Sequence, residues 1–194
     1  MTDGAQRIGI FGGSFNPPHM AHVLVVAWAL GTGEIDRVWA IPTGGHPFGK
    51  KLAPFEDRME MARRAFACFG DLVDVLDVER EPRVHYSIET MRALARRYPR
   101  NSWRWIMGSD TLLDAERWLE YDRLMELAPP LVIPRGGHGG AAGRAAAPGF
   151  ALPNLSSTFI REELGKGNAS GLAGLVPGGV LDWIQAKKLY TPGA

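Results

Sequence analysis

Cysteine is nearly missing from this sequence: Cys68 is the only one in 194 residues. That excludes an internal disulfide and a thiolate metal cluster. Cys68 itself, in "ARRAFACF", reads as a small residue packed inside a helix. An excess of either charge is missing too, since 22 Lys and Arg stand against 21 Asp and Glu. No global field therefore draws the chain to nucleic acid or to an anionic membrane, and any electrostatic focusing has to be local. The sequence also lacks the basic, aromatic-laced strand pair of an RNA-binding module. No stretch approaches the ~20 apolar residues of a membrane span. The opening "MTDGAQRIGIF" has no long apolar core of a secretory leader. The expectation is a cytoplasmic protein with neither a membrane nor a nucleic acid as partner.

What is present alternates. Strand-like runs at 7–11, 37–42, 72–79, 103–108 and 130–134 are separated by helical patterns at 21–31, 54–69, 87–98, 110–118 and 121–128. Strand–helix alternation implies right-handed crossovers and helices on both faces of a parallel sheet. The expected fold is α/β, a doubly wound, Rossmann-like parallel sheet of about five or six strands. The Gly/Ala-rich run at 135–149 reads as a loop, and two further helices are expected at 155–165 and 177–190. Too little chain follows the loop for a second domain. One domain over 1–194 is expected, with a small helical part at about 155–190. Ligands of such sheets bind beyond the carboxyl ends of the strands, at the switch point of strand order.

The stretch "FGGSFNPPHMAH", residues 11–22, lies just there. Gly12 and Gly13 let a ligand approach the backbone and tolerate positive φ. Asn16 suits the cap of a following helix, and Pro17 or Pro18 its first position. His19 and His22 then share one face of the first turn. Free N–H groups and the positive end of a helix dipole make this an anion site, most naturally for phosphate. A plain structural turn and a partial metal site remain as alternatives, although no third His or Cys stands nearby. The stretch is neither a dinucleotide fingerprint nor a P-loop, because the third Gly and the Gly-Lys-Ser/Thr are absent. A second stretch, "SSTFIR" at 156–161, opens a helix with hydroxyls and places Arg161 one turn later. A guanidinium fork binds phosphate oxygens bidentately. Taken alone, it is equally an N-cap followed by a surface arginine.

At these two stretches the sequence resembles the nicotinate-nucleotide adenylyltransferase family of the nucleotidyltransferase superfamily. "GGSFNPPHMAH" is similar to its first signature and "SSTFIR" to its second. "VEREPRVHYSIETM", "IMGSDTLLDAERWLEY" and "LVPGGVLDWIQAKKLY" are similar to its intervening and final segments, so the likeness runs through nearly the whole chain. The chain departs at Ala21, where the pattern has Gly, and in "PTGGHPFGKK", where the pattern often has Pro-Pro-His-Lys.

The resemblance implies a direct displacement. A 5′-phosphate oxygen of nicotinate mononucleotide attacks the α-phosphorus of ATP, and pyrophosphate leaves. It implies His22, His19 and Arg161 as the catalytic set. Gly12, Gly13, Ser14, Phe15, Ser157, Thr158 and Arg135 would meet ATP, together with Arg161. Trp118, Tyr86, Ser87, Asp110 and Lys50 would meet the acceptor, with Trp118 stacked on the pyridine ring. Without the resemblance Trp118 reads as core, and Trp28, Trp39, Trp103, Trp105 and Trp183 as core or interface. Mg²⁺ is expected on the phosphates, held by substrate oxygens and water rather than by a protein cluster. The partners are ATP and a mononucleotide, and the aromatic content is compatible with a homo-oligomer. Alternatives are the amidated acceptor, a phosphopantetheine acceptor, or a nucleotide sensor without turnover. His85 and His138 have no assigned role.

Overall fold

The computed structural model describes residues 4–45, 52–80, 86–109, 118–133 and 152–191. The 5-stranded sheet runs β3-β2-β1-β4-β5. The strands are β1 Arg7–Gly13, β2 Arg37–Pro42, β3 Val73–Val75, β4 Ser102–Gly108 and β5 Pro130–Ile133. Each neighbouring pair is parallel. The helices are α1 Met20–Gly31, α2 Phe55–Phe66, α3 Ser87–Arg97, α4 Tyr121–Leu127, α5 Ser157–Gly165 and α6 Gly178–Lys187. This is the α/β architecture that the alternation predicts.

Period-two patterning divides the core between the faces of the sheet. Ile8, Ile10, Trp39, Ile41, Trp103, Trp105 and Met107 pack with Ile88, Met91 and Leu94 of α3 and Leu124 of α4. From the other face Phe11, Val38, Ala40 and Ile106 pack with α1, α2, α5 and α6 through Val26, Met61, Ile160 and Ile184. Each such large apolar side chain contributes roughly 1.5–3 kcal/mol when taken fully out of water. Trp39, Trp103 and Trp105 are core residues as expected.

Two expectations need correcting. The helix expected over 54–69 ends at Phe66 and tightens into a 3₁₀ segment, Ala67–Leu72, in which Gly70 turns left-handed at φ 53°. Cys68 lies on this segment and is exposed, not packed inside. The third strand is only Val73–Val75 rather than 72–79. It forms the edge of the sheet, paired on one side, and the chain soon bends into a 3₁₀ turn at Val78–Arg80.

The C-terminal helices are tied to α2. Trp183 Nε1 donates to Asp57 Oδ1 at 3.1 Å. The Arg64 guanidinium lies 4.7 Å from the Trp183 ring centroid.

Candidate active site

Strand order reverses between β1 and β4, so the loop leaving β1 opens at the switch point. Gly12 and Gly13 are the last two positions on the β2 side of β1, opposite Ile41 and Pro42. The turn that follows departs from the expected geometry. Its left-handed residue is Phe15, at φ 45°, not a glycine. A non-glycine holds that conformation only where its surroundings compensate. Here they do, because the Phe15 ring is 0% exposed and meets Phe11, Phe66 and His22 edge-on at 5.5, 5.7 and 5.3 Å. The Phe15 ring therefore packs beneath the loop, in contact with the His22 ring. Gly13 serves the same packing, since a Cβ there would meet the Phe15 ring at 3.2 Å.

Asn16 does not cap α1. The helix starts at Met20 with His19 in the cap position. Residues before proline are disfavoured in helical conformation, and "NPP" delays the start. The buried Asn16 side chain instead accepts from the Ala53 N–H at 3.0 Å and the Tyr190 hydroxyl at 2.8 Å. The end of α1 is closed by His22, whose Nδ1 accepts from the His19 main-chain N–H at 3.1 Å. An accepting Nδ1 fixes the neutral tautomer with its proton on Nε2. The two imidazoles lie 3.9 Å apart, centroid to centroid. His19 is buried at 3% exposure, whereas His22 is half-buried.

The second stretch comes to the first. Ser156 caps α5, its Oγ accepting from the Phe159 N–H at 3.2 Å. Ser157 Oγ donates to the Pro17 carbonyl at 2.9 Å. Arg161 donates through Nη1 to the Asn16 carbonyl at 2.8 Å and through Nη2 to Thr158 Oγ1 at 3.2 Å. These contacts hold the start of α5 beside the loop that leads into α1.

One residue escaped the sequence reading. Arg58 of α2 is 1% exposed, and burial pushes its pKa down. Its guanidinium donates to the carbonyls of Ala53 at 3.0 Å, Ser14 at 3.1 Å and Thr43 at 2.7 Å. It thereby ties together the loops leaving β1 and β2. The available signal was a charged residue on the stripe that also carries Ala62 and Phe66.

On the expected acceptor side, Trp118 is half-buried and packs edge-on against Trp105 at 6.1 Å and Tyr121 at 6.4 Å. Tyr86 is 48% exposed and precedes α3. Its N–H donates to Glu89 Oε2 at 3.2 Å. Topology places the start of α3 and the end of β4 at the carboxyl edge of the sheet, as it does the histidine loop. Lys50, Asp110 and Arg135 lie outside the described residues, as do His46, Lys51, His85, His138 and the 135–149 run. An open cleft lined by Arg7, Glu34, Ser102 and Pro129 lies at the opposite, amino ends of β1 and β4, away from this chemistry. Among the described residues no group of three His, Cys, Asp or Glu side chains is placed to hold a metal. No described helix is long and apolar enough to cross a membrane.

The profile of the cytidylyltransferase-like family matches residues 10–163, a span that contains both His22 and Arg161. A protein of Anaeromyxobacter dehalogenans (strain 2CP-C) named "Probable nicotinate-nucleotide adenylyltransferase" is 41% identical over 191 residues, covering 96% of this chain and 98% of its own. The chain belongs to the nicotinate-nucleotide adenylyltransferase family. A relative of the same name from Myxococcus xanthus (strain DK1622) is 34% identical, over 96% of this chain and 95% of its own. Among solved structures, Plasmodium falciparum nicotinic acid mononucleotide adenylyltransferase complexed with NaAD matches with TM-score 0.78 at 20% identity, over 95% of this chain and 97% of that one. At that identity the match establishes the adenylyltransferase family's fold in this chain.

Proposed function

We propose that this protein transfers AMP from ATP to nicotinate mononucleotide, giving deamido-NAD and pyrophosphate. An oxygen of the mononucleotide 5′-phosphate attacks the α-phosphorus as the bond to the β-phosphate oxygen breaks. The nucleophile is already anionic, so no protein base or covalent intermediate is needed. Catalysis comes from aligning two anions and neutralising the charge that builds between them.

In this reading His22 meets the α-phosphate. Its Nε2–H donates to a non-bridging oxygen while its Nδ1 stays on the His19 N–H. His19, being buried, holds that imidazole in position. Arg161 faces the departing pyrophosphate with Thr158 and the main chain of Ser157, whose hydroxyl is engaged by the Pro17 carbonyl; the guanidinium has more N–H donors than its two contacts to Asn16 and Thr158 use. Gly12, Gly13 and Ser14 offer backbone to the nucleotide. Trp118 stacks on the pyridine ring, and Ser87 with Tyr86 meets its carboxylate. A divalent cation such as Mg²⁺ would be held chiefly by the oxygens of ATP and by water, and would neutralise phosphate charge.

The observation that most supports this reading is the hydrogen bond from Arg161 to Asn16, which unites two anion-binding helix starts. The test is pyrophosphate release from ATP and Mg²⁺ with nicotinate mononucleotide, nicotinamide mononucleotide or phosphopantetheine. Fast release with the first alone is expected. Preference for another acceptor would reassign the substrate, and ATP binding without release in any arm would make the protein a sensor.

A further inference from the structure

The end of the chain reaches back to its beginning. Tyr190 is 174 residues from Asn16, yet its hydroxyl donates to Asn16 Oδ1 at 2.8 Å. Both partners are unusual. Asn16 is 2% exposed, and its main-chain carbonyl is the group that accepts from Arg161. Tyr190 adopts φ 62°, a left-handed conformation that a tyrosine keeps only when its surroundings hold it there. Its helix also ends left-handed, at Lys188 with φ 54°. Phe15, next to Asn16, is left-handed as well. Uncommon backbone thus stands on both sides of one hydrogen bond.

The bond has a geometric consequence. Asn16 is gripped at two points, its side chain by Tyr190 and the Ala53 N–H, its carbonyl by Arg161. The neighbouring carbonyls of Ser14 and Pro17 are taken by Arg58 and Ser157. Carbonyl oxygens aimed at a triphosphate would repel it, and here donors from α2 and α5 hold three of them. The burial that raises the Tyr190 pKa keeps its hydroxyl protonated, and so donating, at any ordinary pH.

We infer that Tyr190 is a positioning residue for the phosphate site, acting through Asn16 on the loop carbonyls and on Arg161. The inference rests on the reading of Arg161 as a phosphate ligand. It assigns the C-terminal turn a part in ATP binding that neither signature stretch contains.

The experiment compares full-length wild type, Tyr190→Phe, Asn16→Ala and the double variant. Affinity for Mg²⁺–ATP is measured by calorimetry without acceptor, together with the KM of each substrate and the melting temperature. Tyr190→Phe keeps the ring and removes one oxygen. The expected result is ATP affinity weakened about fivefold, the scale of one lost hydrogen bond. The acceptor KM should stay within twofold, and the double variant should bind ATP no worse than Asn16→Ala alone. Unchanged ATP affinity, with or without a lower melting temperature, would overturn the inference, as would additive losses in the double variant. Wild type that binds ATP but releases no pyrophosphate would refute the proposed reaction, and the calorimetric affinities would still decide the role of Tyr190. Wild type that binds no ATP would overturn both.

Discussion

The imidazoles of His19 and His22 lie 3.9 Å apart with planes 35° from parallel, and the His19 N–H donates to His22 Nδ1 at 3.1 Å. The pair has a direction. One ring is buried, and the other is backed by Phe15 and keeps part of its surface. The hydrogen bond that closes the start of α1 also chooses which nitrogen of His22 can reach a ligand.

Replacing His22 by Ala removes a transition-state donor and an end-closing acceptor together. Loss of one such donor lowers kcat by about 10²–10³. Loss of the acceptor at the helix start costs about 0.5–2 kcal/mol. The expected variant is folded, melts a few degrees lower and is nearly inactive. Pyrophosphate release and circular dichroism, measured on one preparation, separate the two effects. Turnover at the wild-type rate would remove His22 from the reacting phosphate.

Ala21 stands where the family pattern has Gly, and a methyl that lined the cleft would crowd a bound nucleotide. The structure buries Ala21 at 2% exposure, in the first turn of α1. The methyl is taken up by protein packing and does not line an open cleft. Ala21→Gly should therefore leave the KM for ATP within twofold. It should also lower stability by up to about 1 kcal/mol, the helix penalty of Gly relative to Ala. A large gain in ATP affinity on this substitution would instead mean that the methyl crowds the nucleotide.

Much of the fold was legible because its signals are local. The strand at 37–42 and the helix starting at Ser87 follow from alternation and amphipathic spacing, and the observed elements lie there. The hydroxyl cap of α5 was legible for the same reason. What the sequence hid is long-range. Nothing near Arg58 says that its guanidinium meets Ser14 and Thr43 across three segments of chain. Nothing near Tyr190 points to Asn16. The burial of the Phe15 ring was hidden too, because a motif shows which residues lie together, not which of their side chains point into the core. Cys68 was misread because the helical period continues through a segment that Gly70 turns aside.

Adjacent glycines in the loop after β2 make a further discriminating pair. The Gly44 N–H donates to Glu79 Oε2 at 3.3 Å, and the other oxygen of Glu79 accepts from the buried Thr90 hydroxyl at 2.8 Å. A Cβ on Gly44 would lie 2.0 Å from the Glu79 carbonyl oxygen. That atom is main chain, so it cannot swing aside as a side chain can, and the loop must move. Thr43 is one residue away, and its carbonyl is a ligand of Arg58. A Cβ on Gly45, by contrast, meets nothing within 4 Å among the described residues. Gly44→Ala should thus cost about 1–3 kcal/mol in urea unfolding, the range for overpacking. Gly45→Ala should stay within about 0.5 kcal/mol of wild type, as surface substitutions do. Because the loop shares Arg58 with the phosphate site through Ser14, Gly44→Ala should also raise the KM for ATP while Gly45→Ala leaves it unchanged. Equal stabilities for the two variants would mean that the Gly44–Glu79 approach is not a fixed feature of the fold.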